Sequence, residues 1–431
     1  MSHPHSTKLL MNLKDPAIKI NDSLTENKTY RGYLSHFIYG TLTYTPPHCP
    51  LCSAENKDYS IVKNGTKECT IKWLPLTHTR TYFVLKKQRF LCRSCSRSFM
   101  AKSKEIEENC FISNLTKQSI AVEAGDKISM KDLAKRHFVS PTTVNRVLKK
   151  LDASLRVNRL HLPAHLCFDE FKSVKNVQGK MSFIYMDAQT HEILDILPNR
   201  QLHTLRSYFS QFPLAVRKQV QSVVIDMNAP YFIVIKELFP NAKTIIDRFH
   251  IVQLMNRSLN QTRIRIMKKF NHSATYDQKD YTKLKRYWRL ILQDSSKLDF
   301  KNYPYQSLFK SYLATTDVVD YLLTLDEELK ATYQYYQDLL YAFKTADYMS
   351  FETLLNTLPQ HVSNEMKTSV KTLKKHKSHI ANTFQSPYSN GPLEGTITKI
   401  KTLNRIAFGY RSFSSFKRRI LLACRTTQKT V

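Results

Sequence analysis

The apolar positions of the chain change period several times, and each change predicts a different kind of element. Short apolar runs bounded by turn residues predict strands at Lys57–Val62, Thr70–Leu74 and Arg80–Leu91, and again at Leu166–Phe171, Met181–Met186, Ile193–Leu197, Val220–Ile225 and Lys243–Ile246. Two helical stretches, Gln201–Phe212 and Asn228–Leu238, lie between the later strands. From Ile251 to about Phe384 the pattern is helical and charged, as in Tyr281–Leu292 around Trp288 and in Tyr333–Phe343. Breakers are scarce there: no glycine occurs between Gly179 and Gly391, and only Pro304 and Pro359 lie between Pro240 and Pro387. Near the end, Leu393, Ile397, Ile400 and Leu403 recur at helical spacing behind a start signal, with Asn390 or Gly391 as cap and Pro392 in the first turn.

The middle block, with Met181–Leu197 as a hairpin through Asp187–His191, reads strand, strand, strand, helix, strand, helix, strand. That is the order of a ribonuclease-H-like α/β domain. Ahead of it, Thr116–Leu151 reads as a helix-turn-helix. Met130–His137 is a short helix, Phe138-Val139 fills the turn, and Ser140-Pro141 starts a third helix with Val144, Val147, Leu148 and Leu151 as its apolar face. Thr142, Thr143, Asn145, Arg146 and Lys149 are left for a DNA major groove. An ordinary small helical subdomain is the plainer alternative. Residues 1–45 are polar and then aromatic (Tyr33, Phe37, Tyr39, Tyr44) and carry no decisive pattern.

Composition sharpens this picture. A chain of 431 residues can hold two to four domains, and 42% hydrophobic content is ordinary for a folded protein. The charge is not ordinary: 66 Lys+Arg against 35 Asp+Glu gives +31, which makes a polyanion the expected partner. Nucleic acid is favoured over membrane, because no apolar run reaches about 18 residues. The opening residues lack the apolar core of a signal peptide, so a cytoplasmic protein is expected. The eight cysteines then read as metal ligands or inert thiols rather than disulfides. Cys49-Pro-Leu-Cys52 and Cys92-Arg-Ser-Cys95 form two CxxC knuckles, the pattern of a four-thiolate structural zinc site. The intervening residues 53–91 exceed the usual ribbon spacing, and free thiols or a redox pair remain the alternative. Cys69 and His78 are read as bystanders, and Arg89, Arg93 and Arg97 around the second knuckle as phosphate-facing.

Three carboxylates stand out by context. Asp169 and Asp226 each close an apolar strand, and Glu394 sits on the rigid C-terminal helix with Lys401 and Arg405 near the same face. A glutamate in the first turn of a helix often only complements the helix dipole. Three clustered carboxylates, however, suit divalent cations that activate a nucleophile and a leaving oxygen in phosphodiester chemistry. Without metal they would raise one another's pKa values.

At this point the motifs resemble a known family. CPLC, CRSC, the helix-turn-helix, FDEF at Asp169, VVIDMNAPY at Asp226, IDRFH at Asp247–His250 and SNGPLEGTITKIKTLNRIAFGYRSF around Glu394 resemble the bacterial insertion-sequence transposases with an Asp-Asp-Glu triad, of the ISL (ISL-three) family. The resemblance covers nearly the whole chain. It implies a multidomain α/β protein: a zinc-binding module, a helix-turn-helix, and a ribonuclease-H-like core interrupted by a large helical insertion. The expected boundaries are an N-terminal segment (1–45), the zinc module (46–110), the helix-turn-helix (111–152), the first part of the core (164–250), the insertion (251–385), and C-terminal core helices bearing the glutamate (386–431). It also implies Asp169, Asp226 and Glu394 as catalytic ligands of Mg²⁺ or Mn²⁺, two ions, with Asp247 and His250 as accessories. Cys49, Cys52, Cys92 and Cys95 would hold Zn²⁺, and Thr142, Thr143, Asn145, Arg146, Lys149, Lys401 and Arg405 would touch DNA. The expected activity is binding of terminal inverted repeats followed by metal-dependent strand cleavage and strand transfer. The expected partners are double-stranded DNA, at the nucleoid when bound, and a second copy in a homodimer, with no membrane. A zinc and helix-turn-helix transcriptional regulator, or a ribonuclease-H-like nuclease without strand transfer, would account for part of the chain.

Overall fold

The computed structural model describes residues 4–227, 229–271 and 275–425. They form two compact units. One holds the chain up to Arg156 together with 174–176 and the segment from Thr398 on; the other holds Val157–Ser173 and Val177–Ile397.

The first unit begins with helix α1 (Pro4–Leu10) and strands β1 (Ile18–Tyr30), β2 (Tyr33–Leu42), β3 (Ile61–Lys72), β4 (Arg80–Cys92) and β5 (Ser98–Met100). They make one sheet in the order β1-β2-β4-β3, with β5 on β4. Two expectations change here. The boundary at residue 45 is not a structural one, because β2 runs parallel to β4 from Ser35–Arg80 to Leu42–Lys87. The strands expected at Lys57–Val62 and Thr70–Leu74 are a single strand, β3, kept in register by β4 through a bulge between Lys63 and Thr66. Phe83, Leu85 and Phe90 of β4 alternate into a core with Ile18, Ile38, Ile71 and Trp73.

Three helices follow, α2 (Asn114–Glu123), α3 (Met130–Arg136) and α4 (Pro141–Lys149). Ser140 caps α4 as expected, its hydroxyl accepting from the Thr143 N–H at 3.1 Å. Val144, Val147 and Leu148 are buried against Ile120 and Leu133.

In the second unit, β6 (His165–Lys172), β7 (Met181–Asp187), β8 (Ile193–Leu197), β9 (Ser222–Ile225) and β10 (Lys243–Ile246) form a sheet in the order β8-β7-β6-β9-β10. β6, β9 and β10 are parallel to one another, and β7 is antiparallel to both its neighbours. Helices α5 (Leu202–Phe209), α6 (Leu214–Arg217) and α7 (Ala229–Leu238) bury an aromatic core against it, with Phe168, Phe183, Phe209, Tyr231 and Phe239 all under 3% exposed. The first residue of the helix expected at Asn228–Leu238, Asn228, lies outside the described residues.

Helical structure then dominates: α8 (Arg248–Lys269), α9 (Thr275–Arg286), α10 (Trp288–Leu292), α11 (Thr315–Thr324), α12 (Glu327–Lys344), α13 (Tyr348–Asn356), α14 (Asn364–Lys375) and α15 (Lys377–Gln385) share one apolar core. The helix expected at Tyr281–Leu292 is broken at Tyr287, and a two-residue ribbon pairs Tyr305–Gln306 with Ser311–Tyr312. Among the described residues no helix is long and apolar enough to cross a membrane.

Two helices close the chain, α16 (Gly391–Ile406) and α17 (Phe413–Arg425). In α16, Leu393, Ile397, Ile400 and Leu403 form the expected buried stripe. α17 belongs to the first unit and docks on the helix-turn-helix, although residues 386–431 were expected to serve the core. Leu422 joins the apolar cluster of α2–α4. Arg418 makes a two-pronged pair with Asp152, Nε to Oδ1 at 2.5 Å and Nη2 to Oδ2 at 2.7 Å. Arg419, 2% exposed, donates to the carbonyls of Asp126 (2.9 Å) and Ile128 (2.6 Å). Arg419→Met should leave those two carbonyls short of a donor at a cost of about 1–3 kcal/mol. The melting temperature of this unit, followed by circular dichroism, should fall by roughly 2–8 °C. A melting curve equal to that of the unaltered protein would show that α17 does not hold the helix-turn-helix.

Candidate active site and metal centres

The two cysteine knuckles converge. Cys92 is the last residue of β4, and the first knuckle folds so that Cys49 N–H donates to Ala54 O and Ser53 N–H to Cys49 O. The sulfurs of Cys49 and Cys95 are 3.9 Å apart and those of Cys52 and Cys92 3.8 Å, and all four lie within 4.8 Å of one another. A tetrahedral zinc with Zn–S bonds of about 2.3 Å needs sulfurs roughly 3.8 Å apart. The four residues therefore fit a structural Zn²⁺. The backbone N–H groups of Cys95 and Ser94 stabilise a thiolate at Cys92, whose pKa is lowered to about 6. Cys69 bonds the Leu85 carbonyl across the sheet and takes no part.

On α4, Thr142, Arg146 and Lys149 are exposed, while Thr143 is half-buried and shares a hydrogen bond with Ser140. Asn145 differs from expectation: it is half-buried, and its Oδ1 accepts from Arg418 of α17 at 3.5 Å. Lys401 and Arg405 are exposed on α16.

The acidic cluster is built by strand register. Cys167 pairs with Val224 in the parallel β6–β9 ladder, so two residues further on Asp169 stands level with Asp226. Ile225 pairs with Ile246 in the β9–β10 ladder, so Asp247 stands level with Asp226 on the other side. Asp226 directly follows β9, as expected. Asp169 does not end its strand: β6 continues to Lys172, because its antiparallel partner β7 is longer than its parallel partner β9. Leu166 and Phe168 enter the aromatic core, so Cys167 and Asp169 face the other way. The chain entering α16 runs on that side, where the Cys167 thiol donates to Ser389 O at 3.5 Å.

Asn390, fully buried, ties this entry to the sheet. Its backbone N–H donates to Asp247 Oδ1 at 2.8 Å and its side-chain amide to Phe168 O at 3.1 Å. One turn later comes Glu394, whose carboxylate lies within 4.8 Å of a ring nitrogen of His250 and an oxygen of Asp247. His250 stands in the first turn of α8, its Nδ1 3.1 Å from Asp226 Oδ1 and 3.3 Å from Asp247 Oδ2. Asp247 caps α8 through Phe249 N–H. All five predicted residues of this site are thus brought together.

Their electrostatics divide them. Burial first, then the charges of Asp226 and Glu394, push the Asp169 carboxyl up to about 7. Burial and the neighbouring Asp247 also raise Asp226, against the pull of His250. Asp247 is more deeply buried, at 2% exposed, yet the hydrogen bonds from His250 and Asn390 outweigh burial and hold it below the ordinary aspartate value. His250 is raised by its bond to Asp247 and by the carboxylates around it. Two buried oxygens, Asp226 Oδ1 and Asn390 Oδ1, have no well-formed hydrogen bond, the first having the His250 ring nitrogen beside it at 3.1 Å. Half-buried carboxylates with unsatisfied oxygens are a donor set that fits a hard divalent cation.

A cleft of about 410 Å³ opens beside the cluster, lined by Asp226, His250, Gln253 and Arg257 with Thr372 of α14. Sequence reasoning missed Asn390 as more than a cap, and it missed Gln253 and Arg257. Their only signal was spacing from His250 along α8, three and seven residues on.

The sequence model of the ISL3 DDE family, described as "Transposase", matches residues 166–420, and one described as the zinc-finger of transposase IS204/IS1001/IS1096/IS1165 matches residues 45–95. The chain belongs to the ISL3 family of insertion-sequence transposases. It is similar to the "Transposase for insertion sequence element IS1001" of Bordetella parapertussis, 24% identical over 273 residues, which are 62% of each chain. It is also similar to a protein of Lactococcus lactis subsp. lactis named "ATP-dependent protease", 45% identical over 115 residues, 26% of this chain and 36% of that one. The matches therefore span less than two thirds of either relative.

Two outcomes follow from the geometry. Purified protein should carry about one zinc per chain, and Cys92→Ser/Cys95→Ser should lose it; retention of full zinc by that double variant rules the site out. The second concerns pH. In the metal-free protein the folded pKa of Asp169, about 7, exceeds its ordinary value of 3.8. The group therefore contributes stability at low pH that is lost as pH rises through 7. A divalent cation held by Asp169 would take the place of that proton. Mn²⁺ affinity, measured by calorimetry, should rise about tenfold per pH unit below 7 and then level off, with proton release on binding. A flat profile between about pH 5.5 and 7.5 would sink the assignment of Asp169 as a ligand.

Proposed function

We propose that this chain is a DNA transposase that binds the terminal inverted repeats of its own element and cleaves and joins DNA strands at Asp169, Asp226 and Glu394. The observation that carries the reading is that Asp169 and Asp226 stand level on neighbouring strands and feel the charge of Glu394 on the helix, inside the region matched by the transposase family. The strand order β8-β7-β6-β9-β10 supports a ribonuclease-H-like core, and α8–α15 would be an insertion between the second aspartate and the glutamate. A divalent cation bound among the three carboxylates, Mg²⁺ or Mn²⁺, supplies Lewis-acid activation of water and of the scissile phosphate.

The remaining residues have separate tasks. Asp247, which accepts from Asn390, Phe249 and His250, orients His250, and its carboxylate lies close enough to Glu394 and His250 to share a cation with them. His250, raised toward its charged form, balances the carboxylates against an approaching phosphate. Asn390 fixes the start of the helix that carries Glu394. Thr142, Arg146 and Lys149 read or grip duplex DNA, with Lys401 and Arg405 as further phosphate contacts. The protein acts as a homodimer on a pair of ends.

The experiment incubates labelled duplexes carrying the element's terminal repeat with protein in Mg²⁺ or Mn²⁺ and separates cleaved and joined products. Asp226→Asn should fold, bind the ends at least as tightly, and cut slower by about a thousandfold or more, the loss of several kcal/mol of transition-state stabilisation. Near-normal cutting by Asp226→Asn would refute the triad. Binding of paired, correct ends without cutting by the unaltered protein would instead favour a transcriptional regulator.

A further inference from the structure

One end of the first unit's sheet carries three cations that no acid among the described residues neutralises. Arg31 is at the tip of the two-residue β1–β2 hairpin, where it and Gly32 have φ of 52° and 80°, the backbone of a type I′ turn. Arg80 is the first residue of β4 and Lys72 the last of β3. The pairings Ser35–Arg80 and Lys72–Tyr82 place all three at the same end of the sheet.

This corner is held in place. Lys72 Nζ donates to the carbonyl of Phe138, the left-handed residue (φ 50°) in the turn just ahead of α4. The Arg80 guanidinium lies 3.4 Å from the centre of the Tyr33 ring and 5.2 Å from that of Phe138. The Arg31 guanidinium lies 5.3 Å from the Tyr30 ring. Burial, then the charges of Arg80 and Arg31, push the Lys72 ammonium down, which marks all three as close neighbours. Among the described residues none of them has a carboxylate at ion-pair distance, and neither guanidinium donates a hydrogen bond. Elsewhere in the chain exposed arginines do take carboxylates, as Arg206 takes Glu237 and Arg265 takes Glu365. Ring stacking fixes the plane of a guanidinium and leaves its edge donors unspent, the geometry that a phosphate takes up. Gathering cations without acids is unfavourable until an anion arrives.

We propose that Arg31, Arg80 and Lys72 form a clamp for backbone phosphates of duplex DNA, placed beside the groove that α4 enters. This rests on the reading of α4 as the DNA-reading helix. Lys72 holds the turn before α4 while the two guanidinium edges take phosphate oxygens, so the sheet of the zinc module fixes the approach of the helix that reads the bases.

The test uses the full chain, a duplex carrying the element's terminal repeat, and an unrelated duplex, with binding followed by fluorescence anisotropy over a salt series. Arg31→Gln/Arg80→Gln keeps planar groups for stacking and removes the charge. It should weaken both duplexes by about 10–100-fold, reduce the slope of log K against log salt by about 1–2, and leave the preference between the duplexes unchanged. Single neutral methylphosphonates beside the repeat should weaken the unaltered protein at one or two positions and leave the double variant indifferent there. Zinc content and melting temperature report its fold; if it melts early, Arg31→Gln alone, at the exposed hairpin tip, carries the same measurements. An unchanged salt slope with every methylphosphonate effect retained overturns the clamp. Arg146→Ala separates the two readings. If it abolishes the preference while the clamp variant binds normally, the clamp alone is wrong. If the preference survives Arg146→Ala as well, α4 does not read the bases and both readings fall.

Discussion

The second unit depends on the shared register of three parallel strands. Asp169, Asp226 and Asp247 stand level across β6, β9 and β10, and at close range three ionised aspartates would repel strongly. The fold resolves this by treating the outer one differently. Asp247 is given hydrogen-bond donors from Asn390, Phe249 and His250 and stays charged. Asp169, bonded by the Glu170 N–H, and Asp226, beside His250, are compensated less than burial costs them and have raised pKa values. The unfavourable charge is thereby concentrated in Asp169 and Asp226, where a cation would relieve it. Asn390 makes the arrangement specific, because one residue satisfies Asp247, bonds β6, and starts the glutamate-bearing helix.

What was legible in the sequence follows from how local each signal was. The Val223-Val224-Ile225 run ending at Asp226 announced a buried strand, and the Ser140-Pro141 start announced α4, since both depend on neighbours a few residues away. Asp169 looked like a strand end because Glu170 follows it. The strand continues only because β7 extends the ladder, a fact set by residues further along the chain. The sheet half formed by residues 18–42 was illegible for a similar reason. β1 is largely exposed, and its partner β2 finds β4 across the whole zinc module. Likewise the apolar face of α17 was readable as a helix face, but nothing in its own sequence named the helix-turn-helix as its partner. Asn145 fitted the groove-facing pattern of α4, and Arg418 from the distant α17 engages it instead.

Charge is distributed with a purpose that the net figure of +31 hides. Some acids serve as caps and pairs on the helices, and others gather in one cluster at the strand ends. A basic protein brings a phosphate backbone to its surface with little sequence preference. An acidic cluster on that same protein repels the phosphate it must approach unless cations intervene. His250, whose pKa is raised by Asp247 and the neighbouring carboxylates, is held by Asp247 within 3.1 Å of Asp226, and Arg257 lines the adjoining cleft. Basic side chains and carboxylate oxygens therefore line the same cleft. A carboxylate cluster with that surround would attract metal and phosphate together more strongly than either alone, because each would neutralise the charge that repels the other.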